Sequence, residues 1–373
     1  MPHTWIEIDT KAIKHNLAQF RKLLGKNKLL MPVVKANAYG HGIFEIAKIC
    51  DQDRGVDRIC VVNDDEAQLL LESGIKKPIM ILSFYDLTDE YKMYSLVRAG
   101  VIFPIYRVDQ IETLNKIGET TNKKIKVQLQ IDTGAGRVGI LPKDALDFGK
   151  KISASKFLNL EGLWSHFASS ESDGAYTKQQ HSTFKQTVNQ LEKIGIKIPV
   201  KHMACSASTV LFPQEYNAAR IGLSTYGLYP SPKAKKKINL KPALSWHTRI
   251  IQIKTLPEGS KISYGGTYTA KVPITLAVLP VGYYDGYDRS GMSNTAKVII
   301  KGKLCPIRGR VCMNLCMADI TGLKGVGVGD KATLIGSQGK AAVSADDLAK
   351  WAGTINYEIV DKINPLLPRI YTK

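Results

Sequence analysis

The run Leu29-Leu-Met-Pro-Val-Val34, closed by Lys35, is apolar at every position between Lys28 and Lys35. It is too short for a typical helix and shows no polar alternation, which is the pattern of a strand buried on both faces of a parallel sheet. Seven more strand-length runs follow it: Arg58 to Val62, Ile79 to Leu82, Val101 to Ile105, Lys126 to Ile131, Leu158 to Trp164, Val200 to Ala204, and Asn217 to Ile221. Between them, segments such as Asp64 to Glu72, Val108 to Ile117, Asp144 to Ser153 and Thr177 to Ile194 carry helix formers with an apolar period near that of an α-helix. Eight strands with helical crossovers predict an α/β chain whose first part is a parallel (β/α)8 TIM-like barrel. Ahead of it, Asp9 or Thr10 caps a helix from about Lys11 to Leu24, where Ile13, Leu17, Phe20 and Leu24 share one face and Gly25 ends the helix.

Past the Pro- and Lys-rich stretch Tyr229 to Pro242 the texture changes. Arg249 to Lys254, Ile274 to Leu279, Lys297 to Lys301 and Lys331 to Ile335 are β-rich and punctuated by Gly and Pro, with one late helix near Ser344 to Trp351. The expected division is a barrel over residues 1–235 and a mainly β C-terminal domain over 236–373, in keeping with a length of 373 residues. Hydrophobic residues at 44% and charged residues at 23% exclude a disordered or fibrous chain. The net charge of +19 raises nucleic acid as a partner, but the one dense basic run is Lys233, Lys235, Lys236 and Lys237, so a solvated lysine-rich face is expected and no nucleic-acid role. The first residues lack a charged region followed by an apolar one, and no apolar run approaches the ~20 residues that span a bilayer, so a cytoplasmic protein without membrane contact is expected. Six cysteines form no C-x-x-C pair and seven histidines no ligand set, which predicts neither disulfides nor a metal site.

Lys35 follows the first barrel strand, at the carboxyl end where barrel enzymes keep their active sites. Partial desolvation there lowers an amine's pKa and readies it for Schiff-base chemistry, while spacing alone leaves a surface lysine capping the strand equally open. Ser206 after the seventh strand, and Gly222 with Leu223 after the eighth, sit where barrels bind phosphate through hydroxyl and backbone N–H groups.

The string Val34-Lys-Ala-Asn-Ala-Tyr-Gly-His-Gly42 resembles the pyridoxal-lysine motif of bacterial alanine racemases. The resemblance continues in order through Asp132-Thr-Gly-Ala-Gly-Arg-Val-Gly139, His166-Phe-Ala168, His202-Met-Ala-Cys-Ser-Ala207, Arg220-Ile-Gly-Leu223, Ser263-Tyr-Gly-Gly-Thr-Tyr268, Gly282-Tyr-Tyr-Asp-Gly286, Gly309-Arg-Val-Cys-Met-Asn314 and Ile355-Asn-Tyr-Glu358. It implies a pyridoxal 5'-phosphate enzyme that interconverts L- and D-alanine by two-base proton transfer, supplying D-alanine for peptidoglycan precursors in a bacterium. By that resemblance Lys35 carries the cofactor and serves the D-enantiomer, and Tyr264 serves the L-enantiomer. Racemisation takes a proton from one face of Cα and returns one to the other, and two bases across the ring do this directly.

Arg137, after the fifth strand, offers paired donors for a carboxylate or for the cofactor phenolate, and by the resemblance contacts both cofactor and substrate. Arg220 facing the pyridine nitrogen would donate a hydrogen bond without surrendering its proton, leaving the ring a restrained electron sink. His166 would lie beside the ring and hold Arg220, whereas His202 reads as a supporting hydrogen bonder. The resemblance further implies that Tyr264 and Met313 come from the partner subunit of a homodimer with shared sites. It makes Tyr357 a phosphate ligand, Tyr39 a cofactor neighbour, and Tyr283 with Arg289 the lining of the access corridor; without it these four read equally as surface or packing residues.

Three positions depart from the family pattern. Gln130 stands where many relatives carry a carbamylated lysine bracing the arginine that matches Arg137, and a neutral amide would orient Arg137 less firmly. Cys205 replaces a usual asparagine and Asn314 a usual aspartate, altering cofactor contacts and corridor charge without removing a base. Racemisation of serine or another amino acid is the near alternative, set by pocket size. A decarboxylase of related fold is opposed by Arg220, since those enzymes place a carboxylate at the ring nitrogen. A non-catalytic cofactor carrier is opposed by the second domain bearing Tyr264 and Met313.

Overall fold

The apolar runs become strands because both of their faces are covered, so residues such as Leu30, Met31, Ile59, Val61, Ile79 and Ile81 are excluded from water. In the computed structural model, which describes residues 2–213 and 215–372, the first strand is β1 (Thr4–Asp9). Eight barrel strands follow: β2 (Leu29–Pro32), β3 (Ile59–Val61), β4 (Ile79–Ile81), β5 (Phe103–Ile105), β6 (Ile125–Gln130), β7 (Leu158–Trp164), β8 (Val200–His202) and β9 (Ala218–Ile221). Each of the eight predicted runs falls on one of them. β5, β6, β7 and β8 pair in that order, β3 pairs β4 and β2 pairs β9, all parallel. Bridges Val33–Cys60, Met80–Ile102 and Ala204–Ala219 join these pieces, so the ring closes on itself. Helices Asp64–Glu72, Val108–Thr121, Ala145–Ala154 and Gly174–Lys193 stand where their periodicity placed them. The leading helix is Thr10–Leu24, with Ile13, Leu17, Phe20 and Leu24 buried as one face.

The chain forms two compact units. One holds residues 12–38 and 43–241, which is the barrel. The other gathers the residues up to Lys11, Tyr39–Gly42 and the chain from Pro242 onward. Sequence order had left β1 with the barrel; its hydrogen-bonded partners are instead β10 (Leu244–Arg249), antiparallel, and the last strand, β20 (Arg369–Thr372), parallel.

The remaining strands of this unit are β11 (Gln252–Leu256), β12 (Lys261–Ile262), β13 (Tyr268–Thr269), β14 (Ile274–Leu279), β15 (Lys297–Ile300), β16 (Lys303–Pro306), β17 (Cys316–Asp319), β18 (Lys331–Gln338) and β19 (Ala341–Val343). The main sheet runs β16-β15-β18-β10-β1-β20, with β19 on β18; a second is β11-β14-β17, and β12 pairs β13. The predicted run Arg249 to Lys254 is divided between β10 and β11, because the chain leaves one sheet at Arg249 and enters the next at Gln252. The expectation of one late helix is also corrected: Ala345–Ala352 is followed by a second, Asn356–Asp361, too short for periodicity to reveal.

Candidate active site

Lys35 begins a short turn directly after β2, and its backbone is unusual. Ala36, Asn37, Ala38 and Tyr39 all have φ between 51° and 54°, a left-handed turn made without glycine. L-residues in that conformation cost about 1–2 kcal/mol each, so four in succession persist only where surrounding bonds hold them. Here the Ala38 N–H donates to the Val34 carbonyl at 2.9 Å, the Ala36 N–H to the Glu66 carboxylate at 2.7 Å, and the Ile43 N–H to the Asn37 side-chain oxygen at 3.0 Å. Below the turn, the Tyr226 hydroxyl donates to the Val33 carbonyl at 2.8 Å.

The other barrel candidates lie on β9 or just beyond the carboxyl ends of β6, β7, β8 and β9. Arg220, on β9, is 3% exposed and has no carboxylate in contact among the described residues. Its guanidinium donates to the Ser165 carbonyl at 2.8 Å, to His166 Nδ1 at 3.0 Å and to His202 Nδ1, and it stacks on the Trp164 ring at 4.6 Å. Burial lowers its pKa to about 10, which still leaves it charged near neutrality. Its Nε takes no bond among the described residues.

Behind Arg220 the acceptors form a chain that fixes proton positions. Arg58 donates both Nη groups to Glu161 at 2.7 and 2.9 Å; Gln128 Nε2 donates to Glu161 at 3.0 Å, which turns Gln128 Oε1 toward His202 Nε2 at 2.7 Å. An amide oxygen only accepts, so His202 carries its proton on Nε2 and offers Nδ1 to Arg220. Burial, then the charge of Arg220, holds both His202 and His166 well below the usual histidine range, so both rings are neutral. The charges of Arg137 and Lys35 push His166 the same way, marking a mouth rich in positive charge.

Ser206 opens the helix Ser206–Leu211 after β8, and Gly222 with Leu223 forms the turn after β9. The two loops meet where the Ser224 N–H donates to Ser206 Oγ at 3.4 Å. Arg137 lies on the loop after β6, which Asp132 gathers by accepting from the N–H groups of Gly134, Ala135, Gly136 and Arg137 at 2.8–3.2 Å. The Arg137 side chain is exposed and makes no hydrogen bond among the described residues. Gln130 braces this loop through its nitrogen, donating to the Val138 carbonyl at 2.9 Å, while its buried Oε1 has no partner among the described residues. Cys205 contacts Ser170 and Ser208 hydroxyls, each at 3.5 Å.

A second cluster stands on the β-rich unit. Tyr264, 68% exposed, follows Ser263, whose φ of 63° and ψ of −174° belong to a region usually left to glycine. The Ser263 hydroxyl donates to the Arg310 carbonyl at 2.6 Å, tying this turn to the segment that carries Met313. The Arg310 guanidinium lies over Gly265, 3.0 Å from where a Cβ would stand. Tyr283 joins the same segment, its N–H donating to the Cys312 carbonyl at 3.1 Å. Arg289 starts the short helix Arg289–Met292. The rings of Tyr39 and Tyr357 are 6.2 Å apart. Arg310, Gln128, Glu161 and Glu66 had no role in the sequence reading; the run Gly309 to Asn314 pointed to the first, and nothing local marks the other three.

The barrel cluster fits pyridoxal phosphate by its donor set: an amine at the end of β2, small residues with hydroxyl and N–H donors after β8 and β9, and a buried permanent cation with an unused N–H on β9. A closed barrel with this mouth and a β-rich second unit defines a pyridoxal-phosphate enzyme acting on amino acids.

Residues 8–230 match the family model described as alanine racemase, N-terminal domain, and residues 243–371 that of the C-terminal domain. An alanine racemase of Halothermothrix orenii is 41% identical, covering 99% of this chain and 96% of that one. The alanine racemase structure from a D-cycloserine-producing Streptomyces lavendulae superposes with a TM-score of 0.94 at 29% identity, covering 100% and 98% of the two chains. That of the Bacillus anthracis enzyme with bound L-Ala-P gives 0.91 at 34%, covering 100% and 96%. The chain belongs to the alanine racemase family: it is a pyridoxal-phosphate-dependent isomerase that interconverts L- and D-alanine. No helix among the described residues is long and apolar enough to cross a membrane.

Proposed function

We propose that Lys35 and Tyr264 are the two bases of this racemisation, and that a homodimer supplies Tyr264 and Met313 to each barrel from the second copy. The observation that carries the reading is the neutral-histidine cradle of Arg220, a buried cation held by two imidazoles and a carbonyl with no carboxylate beside it among the described residues. Pyridoxal phosphate, when bound, supplies the carbonyl that captures the substrate amine and the conjugated ring that spreads the charge left as Cα loses its proton. Lys35, Tyr39, His166, Ser206, Arg220, Gly222, Leu223 and Tyr357 would hold it. Arg220, a cation that does not readily surrender its proton, would hold the cofactor so that it draws charge less strongly and side reactions are restrained.

Arg137, exposed and with no hydrogen-bond partner among the described residues, would take the substrate carboxylate through paired donors. Lys35 then removes or returns the proton on the D side and Tyr264 on the L side. Arg220, Arg137 and Lys35 make the barrel mouth positively charged, which favours an anionic group presented to it. Tyr264, Tyr283, Met313 and Leu315 are exposed together on the β-rich unit, a surface suited to covering by another chain. Met313 would present its backbone to substrate, and Tyr283 with Arg289 would line the access corridor. Six free cysteine thiols fit a reducing compartment and support the proposal of a cytoplasmic protein.

The test is exchange of the α-hydrogen of each alanine enantiomer with deuterated water. Tyr264→Phe is expected to lower exchange of L-alanine by about 10²–10⁴-fold, the usual worth of a positioned base, while D-alanine continues to exchange. Lys35→Ala is expected to abolish the covalent pyridoxal-phosphate label that borohydride fixes at Lys35. Full L-alanine exchange in Tyr264→Phe would refute the assignment.

A further inference from the structure

Beyond Val34 the ladder of the first barrel strand stops being regular. The Val34 N–H donates to the Cys60 carbonyl at 2.8 Å, the last ordinary rung between β2 and the β3 side. A parallel ladder would next join the Val62 N–H to the Val34 carbonyl and the Ala36 N–H to the Val62 carbonyl. Neither forms in that way. The left-handed turn has given the Val34 carbonyl to the Ala38 N–H. The two N–H groups displaced from the ladder both go to one side chain: Glu66 accepts from Ala36 at 2.7 Å with Oε1 and from Val62 at 2.8 Å with Oε2. Glu66 is itself fixed at the start of the helix Asp64–Glu72, its N–H donating to Asn63 Oδ1 at 2.9 Å.

We propose that Glu66 is a positioning residue for Lys35: its carboxylate takes the donors of two missing rungs of the barrel ladder and so holds the left-handed turn that aims the Lys35 amine. The proposal rests on the reading of Lys35 as the base on the D side. A carboxylate is the chemistry the place requires, because two donors converge on it and an amide of the same size offers only one acceptor atom. Strain in the turn supplies the reason for a clamp. Alanine, asparagine and tyrosine do not adopt four consecutive left-handed positions unaided, whereas glycine would at no steric cost.

Glu66→Gln keeps the size and leaves one of the two N–H groups facing an NH2. In the folded, cofactor-loaded variant, amide hydrogen exchange at Ala36 and Val62 is expected to accelerate about tenfold while the helix Asp64–Glu72 exchanges as before. Exchange of the D-alanine α-hydrogen is expected to fall about tenfold more than that of L-alanine, since proton transfer on the D side uses the Lys35 amine directly, whereas the cofactor it also carries serves both enantiomers alike. Adding Ala36→Gly, which removes one strained Cβ at an exposed position, should restore part of the D-alanine exchange. Equal losses for both enantiomers with unchanged amide exchange would overturn the proposal and leave Glu66 a structural residue. If Glu66→Gln does not fold, the unaltered protein still decides: the Ala36 and Val62 amides must be protected, and exchange at the rate of open loops would overturn it. Failure of the base assignment is separately visible, because Lys35→Ala would then lower exchange of both enantiomers alike, whatever Glu66 does.

Discussion

His202 shows how a buried supporting residue sets the surroundings of a candidate cofactor ligand, Arg220. Its ring lies flat on Trp164, 5.7 Å between centroids, with Gln128 at one nitrogen and Arg220 at the other. Protonating Nδ1 would turn an acceptor for Arg220 into a second cation against it. Burial, and then that arginine, therefore hold the ring well below its ordinary pKa. The consequence for stability has a definite sign. Below about pH 6.5 the unfolded chain protonates this histidine and the native one does not, so the unfolded state binds more protons and stability falls as pH falls. Between about pH 7.5 and 5.0, one such histidine removes about 2 kcal/mol. Urea unfolding of the cofactor-free protein at the two pH values should show His202→Gln losing about 2 kcal/mol less on acidification than the parent, whatever its stability at the higher pH. An identical acid loss in the two proteins would mean that His202 titrates normally in the fold.

At the scale of elements, the loop from Asp132 to Gly139 decides how firmly Arg137 is presented. One carboxylate collects four of its N–H groups, and the Tyr176 hydroxyl donates to the Gly134 carbonyl at 2.7 Å. Asp132→Ala releases those donors without touching Lys35 or Arg220. The expected result is a KM for alanine raised about tenfold with a smaller change in kcat, measured by steady-state racemisation, because the loss falls on substrate capture. An unchanged KM would show that the loop holds its shape without the aspartate. This loop was legible as glycines around an arginine, but its bracing by Gln130, whose nitrogen donates to the Val138 carbonyl, was not. The eight barrel strands were readable because strands buried on both faces leave uninterrupted apolar runs. β1 was not, since what makes it a strand is pairing with β10 and β20, far away in sequence. The left-handed turn after Lys35 was invisible for a related reason. Ala-Asn-Ala-Tyr has no glycine to announce it, and the carboxylate that stabilises it comes from Glu66, thirty positions on.

For the whole molecule, the decisive question is which chain supplies which base. If each site of a homodimer takes Lys35 from one copy and Tyr264 from the other, two inactive variants can rebuild an active site. In a dimer of one Lys35→Ala chain and one Tyr264→Phe chain, one site receives both damaged residues and the other receives neither. Random pairing makes about half of the dimers mixed, so about one quarter of the parental sites should be intact after the two variants are unfolded together and refolded with pyridoxal phosphate. Racemase activity at that fraction, scaling with the mixed dimer isolated by two different affinity tags, is the expected outcome. A site built from a single chain predicts none, because every barrel would then lack one of its bases. The same preparation bears on the exposed face formed by Tyr264, Tyr283, Met313 and Leu315. If that face is where the copies meet, a charged residue in place of Leu315, which is not assigned to either base or to cofactor, should lower both the mixed-dimer yield and the recovered activity in proportion.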